Sequence, residues 1–225
     1  MTCPVCNNNN TLDNFIEIKL DYNYSTKSGN ILKASCCYEC GFIYQNPILE
    51  TMQDVSHYEN FSKYDQEETK GHRLAKEDQL NWIERILTDN GELINHNKNS
   101  LSIFEIGASV GAFLVAAKER GWIVGGLEPS QQAITTAFNN HDIQIDKGFI
   151  ESCNRISSNI VAMFHVFEHI IDPVKCLQHL YTITPENCYL FIEVPNMSYP
   201  KNCPGGMYWH PEHINYFSPE NIVLA

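Results

Sequence analysis

The chain has no apolar run of about 18 residues, so no membrane-spanning helix is expected. Its opening residues, MTCPVCNNNN, have neither a basic start nor an apolar h-region. No secretory signal is therefore expected, and the expected localisation is cytoplasmic. Positive charge is scarce: 15 Lys and Arg stand against 27 Asp and Glu, for a net charge of −12. That balance argues against a general nucleic-acid surface or an anionic-membrane surface, so neither partner is expected. It leaves the sign of any local pocket open. No disulfide framework is visible either. With a hydrophobic content of 43% and a charged content of 19% over 225 residues, the chain can bury one good core plus a small appendage.

Four of the nine cysteines form two C-x-x-C pairs, Cys3 with Cys6 and Cys37 with Cys40. The two-residue gap lets both thiolates of a pair face one tetrahedral ion. Cys36 is a spare thiol and an alternative to Cys37 as the ligand. Residues 1–45 thus read as a small zinc ribbon with Cys3, Cys6, Cys37 and Cys40 around a structural Zn²⁺. Phe15 to Leu20 and Asn30 to Ser35 would pair as its strands. So small a unit has too little core to fold alone, and the ion would supply the missing free energy. The other cysteines are scattered and read as reduced thiols.

Residues 46–99 read as a linker followed by a helical cap. Leu80, Ile83 and Leu87 recur at helical spacing, and a helix is expected from about Ser62 to Asn90. Tyr58 and Tyr64 are candidates for cofactor contact there.

The stretch LSIFEIGASVGAFLVAAKER, residues 101–120, organises the rest. A short run of strand formers leads through small residues into a helix. That is the opening of an α/β nucleotide-binding unit, because small residues admit a ligand close to the backbone and a helix start offers free N–H groups. The dinucleotide fingerprint would place its residues at Gly107, Ser109 and Ala112 and fits poorly. A phosphate loop needs Gly-Lys-Ser/Thr, and Gly111 is followed by Ala112 and Phe113. Gly107-Ala108-Ser109-Val110-Gly111 does match the G-x-S-x-G nucleophile elbow, which would make Ser109, Asp172 and His213 a hydrolase triad. Against that reading, this strand is the first of its domain and no oxyanion loop precedes it.

Further strands are expected at Trp122–Leu127, Ile143–Ile145, Asn159–Phe164 and Cys188–Val194, alternating with helices. The fold class is therefore α/β, a Rossmann-like doubly wound parallel sheet. Glu128 ends the second strand, followed by Pro129 and Ser130. A carboxylate there suits a ribose diol, and the spacing from Gly107 to Glu128 is near the expected ~20 residues. Ser130 can cap the next helix. Asp172 and Pro173 read as N-cap and first helical residue.

Acid-x-Gly-x-x-x-Gly, here Glu105 through Gly111, resembles motif I of the class I S-adenosylmethionine (SAM) methyltransferases, with Ser109 where that family usually has Gly. His165-Val166-Phe167-Glu168-His169-Ile170 with Asp172-Pro173 resembles the post-strand segment of one group of these enzymes. The segment around His210, Glu212 and His213 is similar to the Y-H-E-H motif of members with an N-terminal zinc domain, including sugar C-methyltransferases (the methyltransferase type 23 group). Here His210 stands at the Tyr position and Pro211 at the first His.

The resemblance implies a SAM-dependent methyltransferase acting on a small molecule, with a sugar or sugar nucleotide as the candidate acceptor, by C- or O-methylation. Gly107, Ala108, Ser109 and Gly111 would approach the methionine part of SAM. Glu105 would hold the turn or the amino group. Glu128 with Pro129 would meet the ribose, and Phe149 and Ile150 the adenine. His165 would lie by the transferred methyl, with His213 and His210 as catalytic groups. Tyr208, Trp209, Tyr216 and Phe217 would suit a sugar ring or the sulfonium. Residues 100–225 would form the SAM-binding domain, its last strands apparently missing beyond Ala225. The alternative is a non-catalytic binding module built on the same fold.

Overall fold

A computed structural model describes residues 2–19, 31–49, 56–59, 70–91, 101–198 and 209–224. In chain order, β1 is Thr11–Lys19, β2 Ile31–Cys37 and β3 Ile43–Gln45. Helix α1 is Lys70–Asp89, strand β4 Ser102–Ile106, helix α2 Ala112–Glu119, strand β5 Ile123–Glu128 and helix α3 Gln131–His141. Then follow β6 Asp146–Lys147, β7 Ile160–Phe164, α4 Pro173–Ile183, β8 Tyr189–Glu193 and β9 Asn215–Tyr216.

Residues fall into two compact units. One comprises Met1–His57, His165–Gln178 and Glu193–Ala225; the other comprises Tyr58–Phe164 and His179–Ile192. This grouping differs from the contiguous division at residues 45 and 99 expected from the sequence, because the segments after β7 and after β8 gather with the N-terminal strands.

The first unit holds a sheet of order β1-β2-β3-β9. β1 and β2 pair antiparallel from Thr11 opposite Cys37 to Lys19 opposite Ile31, with an irregularity between Leu12 and Ile16. β3 lies in the stretch expected to be linker. Tyr44 and Gln45 are buried at 2% and 1% exposure, as is Phe42 just before the strand, while Ile43 is half-buried. β9 then closes the open edge of β3, with Ile43 opposite Tyr216 and Tyr44 opposite Asn215.

The second unit carries the parallel sheet, order β6-β5-β4-β7-β8, with β4 in the middle. All five residues of β7, IVAMF, are buried, as a central strand covered on both faces requires. Leu80, Ile83 and Leu87 of α1 enter the same core as Phe113 and Leu114 of α2. Arg120, just past α2, pairs with Glu77 and Glu84 of α1. The expected cap helix is thus a core helix of this unit; its expected start, including Tyr64, lies outside the described residues. The strand expected at Ile143–Ile145 is displaced to Asp146–Lys147. Ile143 sends its N–H back to Ala137 O at the end of α3, and the Ile143 and Ile145 side chains are buried under Gly111. The other strands and helices of this unit lie within a residue or two of expectation, whereas β1 of the first unit begins at Thr11, four residues ahead of the expected Phe15; Ser130 caps α3 by accepting from Ala133 N–H.

Gly126 in β5 brings that strand against the loop after β4. A Cβ on Gly126 would stand 3.0 Å from both Ala108 Cβ and Leu114 Cδ1, and 3.1 Å from the backbone oxygen of Glu105. Gly126→Ala is expected to destabilise the fold by about 1–3 kcal/mol through overpacking. A urea melt with a lowered midpoint and unchanged slope checks this.

Candidate functional site

The loop after β4 is suspended from the tip of β5. Gly107 N–H and Ala108 N–H both donate to Leu127 O, at 2.8 and 3.1 Å. Ser109 N–H donates to Glu128 Oε2 and Ser130 N–H donates to Glu128 Oε1, each at 2.9 Å. Gly107, Ser109 and Gly111 all have left-handed φ, at 74°, 50° and 77°. Glycine adopts that region freely, while Ser109 does so at a cost that the surrounding hydrogen bonds must offset. Gly111 then starts α2. The carboxylate expected on the ribose therefore stands directly against the small-residue turn. Each of its oxygens accepts one backbone N–H and keeps a further lone pair. Burial pushes the Glu128 carboxyl above the usual carboxylate range, and the two N–H donors pull the other way. Pro129 and Phe149 beside it are half-buried, whereas Ile150 is fully buried and belongs to the interior.

Glu105, on β4, is 4% exposed, and its Oε2 accepts no hydrogen bond among the described residues. Burial pushes its carboxyl up to about 8, with the Lys76 ammonium opposing and Glu128 reinforcing the shift. It is therefore largely protonated at neutral pH.

In the other unit His165 directly follows β7, where ligands gather in open α/β sheets. It too has left-handed φ, 57°, and its N–H donates to Glu193 O. Its ring lies between two carboxylates, Glu168 Oε1 at 3.5 Å and Glu193 Oε1 at 3.1 Å. Those two partners raise the imidazole to about 9, so His165 is a cation at pH 7. His210 and His213 come together, ring centroids 5.2 Å apart, and His169 meets His213 edge-on at 5.1 Å. Burial, then the neighbouring His169, pushes His213 down to about 3, leaving it neutral. Tyr216 and Phe217, expected to line a ligand site, are core residues at 2% and 1% exposure. Tyr216 packs tilted against Trp209, and Phe217 stacks on Phe167 and packs tilted against Phe42. Tyr208 lies outside the described residues. Asp172 caps α4 through Lys175 N–H, which gives it a local task unrelated to a triad.

Four side chains of this region went unassigned from sequence. Glu168 and His169 were visible only as a motif pair, and Glu193 only as the end of a strand. Gln45 is the fourth. Fully buried, it donates from Nε2 to Pro211 O and His213 O at 2.7 and 2.8 Å and so grips the segment that carries His213.

The N-terminal thiols form a closed set. Cys3 Sγ lies 3.7 Å from Cys40 Sγ, and Cys6 Sγ 3.6 Å from Cys37 Sγ. A tetrahedral ion with metal–sulfur bonds of about 2.3 Å needs sulfur separations of about 3.8 Å, so these four could hold one. Cys36 is outside the set; its thiol points to the carbonyls of Cys37 and Gly41.

The open parallel sheet with a backbone cradle at its central strand defines a class I, Rossmann-like methyltransferase fold. A methyltransferase-domain family profile matches residues 72–225, and the chain belongs to that family. Solved structures resemble it at low identity. The plantazolicin methyltransferase BpumL in complex with SAH is 16% identical over 55% of this chain and 52% of that one, with TM-score 0.47. A SAM-dependent methyltransferase from Archaeoglobus fulgidus is 23% identical over 62% and 65%, with TM-score 0.46. A possible histamine N-methyltransferase from Thermotoga maritima is 23% identical over 54% and 59%, with TM-score 0.44. The chain spans about half the length of the first of these. No curated protein matches it. Among the described residues no helix is long and apolar enough to cross a membrane.

Glu105 yields a stability prediction. Its folded pKa exceeds the unfolded value of about 4.5, so the folded state holds the extra proton between the two. Its contribution is intact below pH 4.5 and is lost as pH rises to about 8. Glu105→Gln is expected to raise the melting temperature at pH 8 and to change it little at pH 4, read by calorimetric melts across that range.

Proposed function

We propose that the chain binds SAM and transfers its methyl group to a small-molecule acceptor. One observation carries the reading: the Glu128 carboxylate at the tip of β5 stands one hydrogen bond from Ser109 in the small-residue turn after β4. A ribose diol needs a carboxylate with spare lone pairs, and a nucleoside's tail needs a turn without side chains; both are present at one point. In this reading Gly107, Ala108, Ser109 and Gly111 accept the methionine part, Glu128 with Pro129 the ribose, and Phe149 a face of the adenine. Glu105, being neutral, offers the SAM amino group a hydrogen-bonding partner rather than a counter-ion. His165, His210 and His213 are the acceptor-side groups. Methyl transfer is an in-line displacement at the sulfonium carbon, so positioning supplies most of the rate, with a proton removed where the acceptor must lose one. Sugars and sugar nucleotides are the acceptor class that the sequence resemblance favours.

The four thiolates hold a structural zinc in this reading, with every position filled by protein. Cys37→Ser is expected to release about one zinc per chain and lower the thermal midpoint, while Cys36→Ser retains both, by metal analysis and melting.

Calorimetric titration with SAM and S-adenosylhomocysteine tests the function. Charge-assisted hydrogen bonds are worth about 1.5–3 kcal/mol, so Glu128→Ala is expected to weaken S-adenosylhomocysteine about 10- to 100-fold. Ser109→Ala should change affinity little, since the loop contributes backbone. Absence of binding by the unaltered chain would overturn the proposal and leave a binding module of another kind.

A further inference from the structure

Apart from the four thiols, one other group of described residues has metal-ligand chemistry. One carboxylate oxygen of Glu168 and one ring nitrogen each of His169 and His213 all lie within 4.8 Å of one another. They come from two segments, the turn after β7 and the stretch before β9. Backbone hydrogen bonds tie those segments: Ile214 N–H donates to Glu168 O at 2.9 Å, and the Asn215 amide donates to Ile170 O.

Glu168 is the unexplained member. Its side chain is 1% exposed, yet neither oxygen accepts a hydrogen bond among the described residues. The nearest cationic or donor groups, His165 Nδ1 and His213 Nε2, stand 3.5 and 3.9 Å from the same oxygen, Oε1. The His165 cation compensates Oε1, whereas Oε2 is buried with no hydrogen-bond partner among the described residues, which is costly unless a further cation or donor reaches it. His169 supplies the second observation. Its Nδ1 lies 2.8 Å from Glu212 O. A carbonyl only accepts, so Nδ1 carries a hydrogen, and in the neutral imidazole Nε2 is the nitrogen of ligand type. Holding one ring nitrogen on a backbone carbonyl is how metal-ligating histidines are oriented. His213 presents Nε2 to the carboxylate and is backed by Gln45, which fixes its backbone oxygen.

We infer that Glu168, His169 and His213 bind a divalent transition-metal ion at a second site, distinct from the thiolate site. Two imidazoles and one carboxylate suit Zn²⁺, Fe²⁺, Co²⁺ or Mn²⁺ better than Mg²⁺ or Ca²⁺. Bonds of about 2.0–2.2 Å draw the three ligand atoms together by about 1 Å. Three protein ligands leave a coordination position open for an oxygen of the acceptor. Binding of the ion stands independently of the methyl-transfer reading; only its use rests on that reading. There the ion would orient an acceptor oxygen and lower its pKa, and His213 would serve as a ligand rather than as a base.

Cobalt titration of the zinc-loaded full chain tests the inference. Cobalt on thiolates shows intense sulfur-to-metal charge transfer, whereas cobalt on nitrogen and oxygen shows only weak ligand-field bands. One equivalent of the second kind is expected. Glu168→Gln and His213→Ala should each weaken it at least 100-fold, with the zinc content of the thiolate site unchanged. In the unaltered chain the ring protons of His169 and His213 should show large paramagnetic shifts, a readout that needs no variant to fold. Absence of that equivalent, its survival in Glu168→Gln, or unshifted histidine resonances would each overturn the inference. Parallel titration with S-adenosylhomocysteine separates the two proposals, since failure of nucleoside binding leaves the cobalt result standing and the converse also holds.

Discussion

The carboxylate of Glu128 ties the end of one strand to the loop of its neighbour, and the candidate cofactor side of the molecule follows from that tie. Ser109 would not hold a left-handed backbone without a partner for its N–H. Gly126 makes the approach sterically possible, and Leu127 O collects the two preceding N–H groups. Sequence, strand geometry and loop shape therefore depend on one another at this point. An uncharged or shortened residue at 128 would loosen the loop as well as remove a ligand contact.

A different constraint governs the other unit. There the N-terminal sheet is unfinished until β9 joins β3, and Gln45 clamps the His213 segment with two side-chain hydrogen bonds and one from its own N–H. The thiolate set is joined to the same sheet through Cys37, the last residue of β2. A knuckle that looks remote from chemistry in the linear sequence thus shares a unit with His165, His169, His210 and His213 and with Glu168, Glu193 and Glu212.

Much of this was legible in the residues. The turn at Gly107–Gly111 announced itself through small residues between a strand and a helix, and Glu128 through its distance from that turn. The paired cysteines read directly, although choosing Cys37 over Cys36 required knowing which way alternate β2 residues face. What could not be read depends on tertiary context. A three-residue strand such as β3 has too few alternations to stand out from a linker. Ile143 and Ile145 satisfy a strand pattern, yet the end of α3 takes up the backbone donor of Ile143. Tyr216 and Phe217 look alike whether they line a ligand or fill a core, and burial decided for the core. The role of Glu168 depends on His213 returning from more than forty residues away, and no local pattern carries that.

The pairing of β3 with β9 also sets an order of events during synthesis. After Gln45 leaves the ribosome, the outer edge of β3 waits for Asn215 and Tyr216. At bacterial or eukaryotic elongation rates that interval is roughly 10–30 s. Throughout it the nascent segment presents an open strand edge beside the four thiols, so early capture of a metal ion would guard against both mispairing and oxidation.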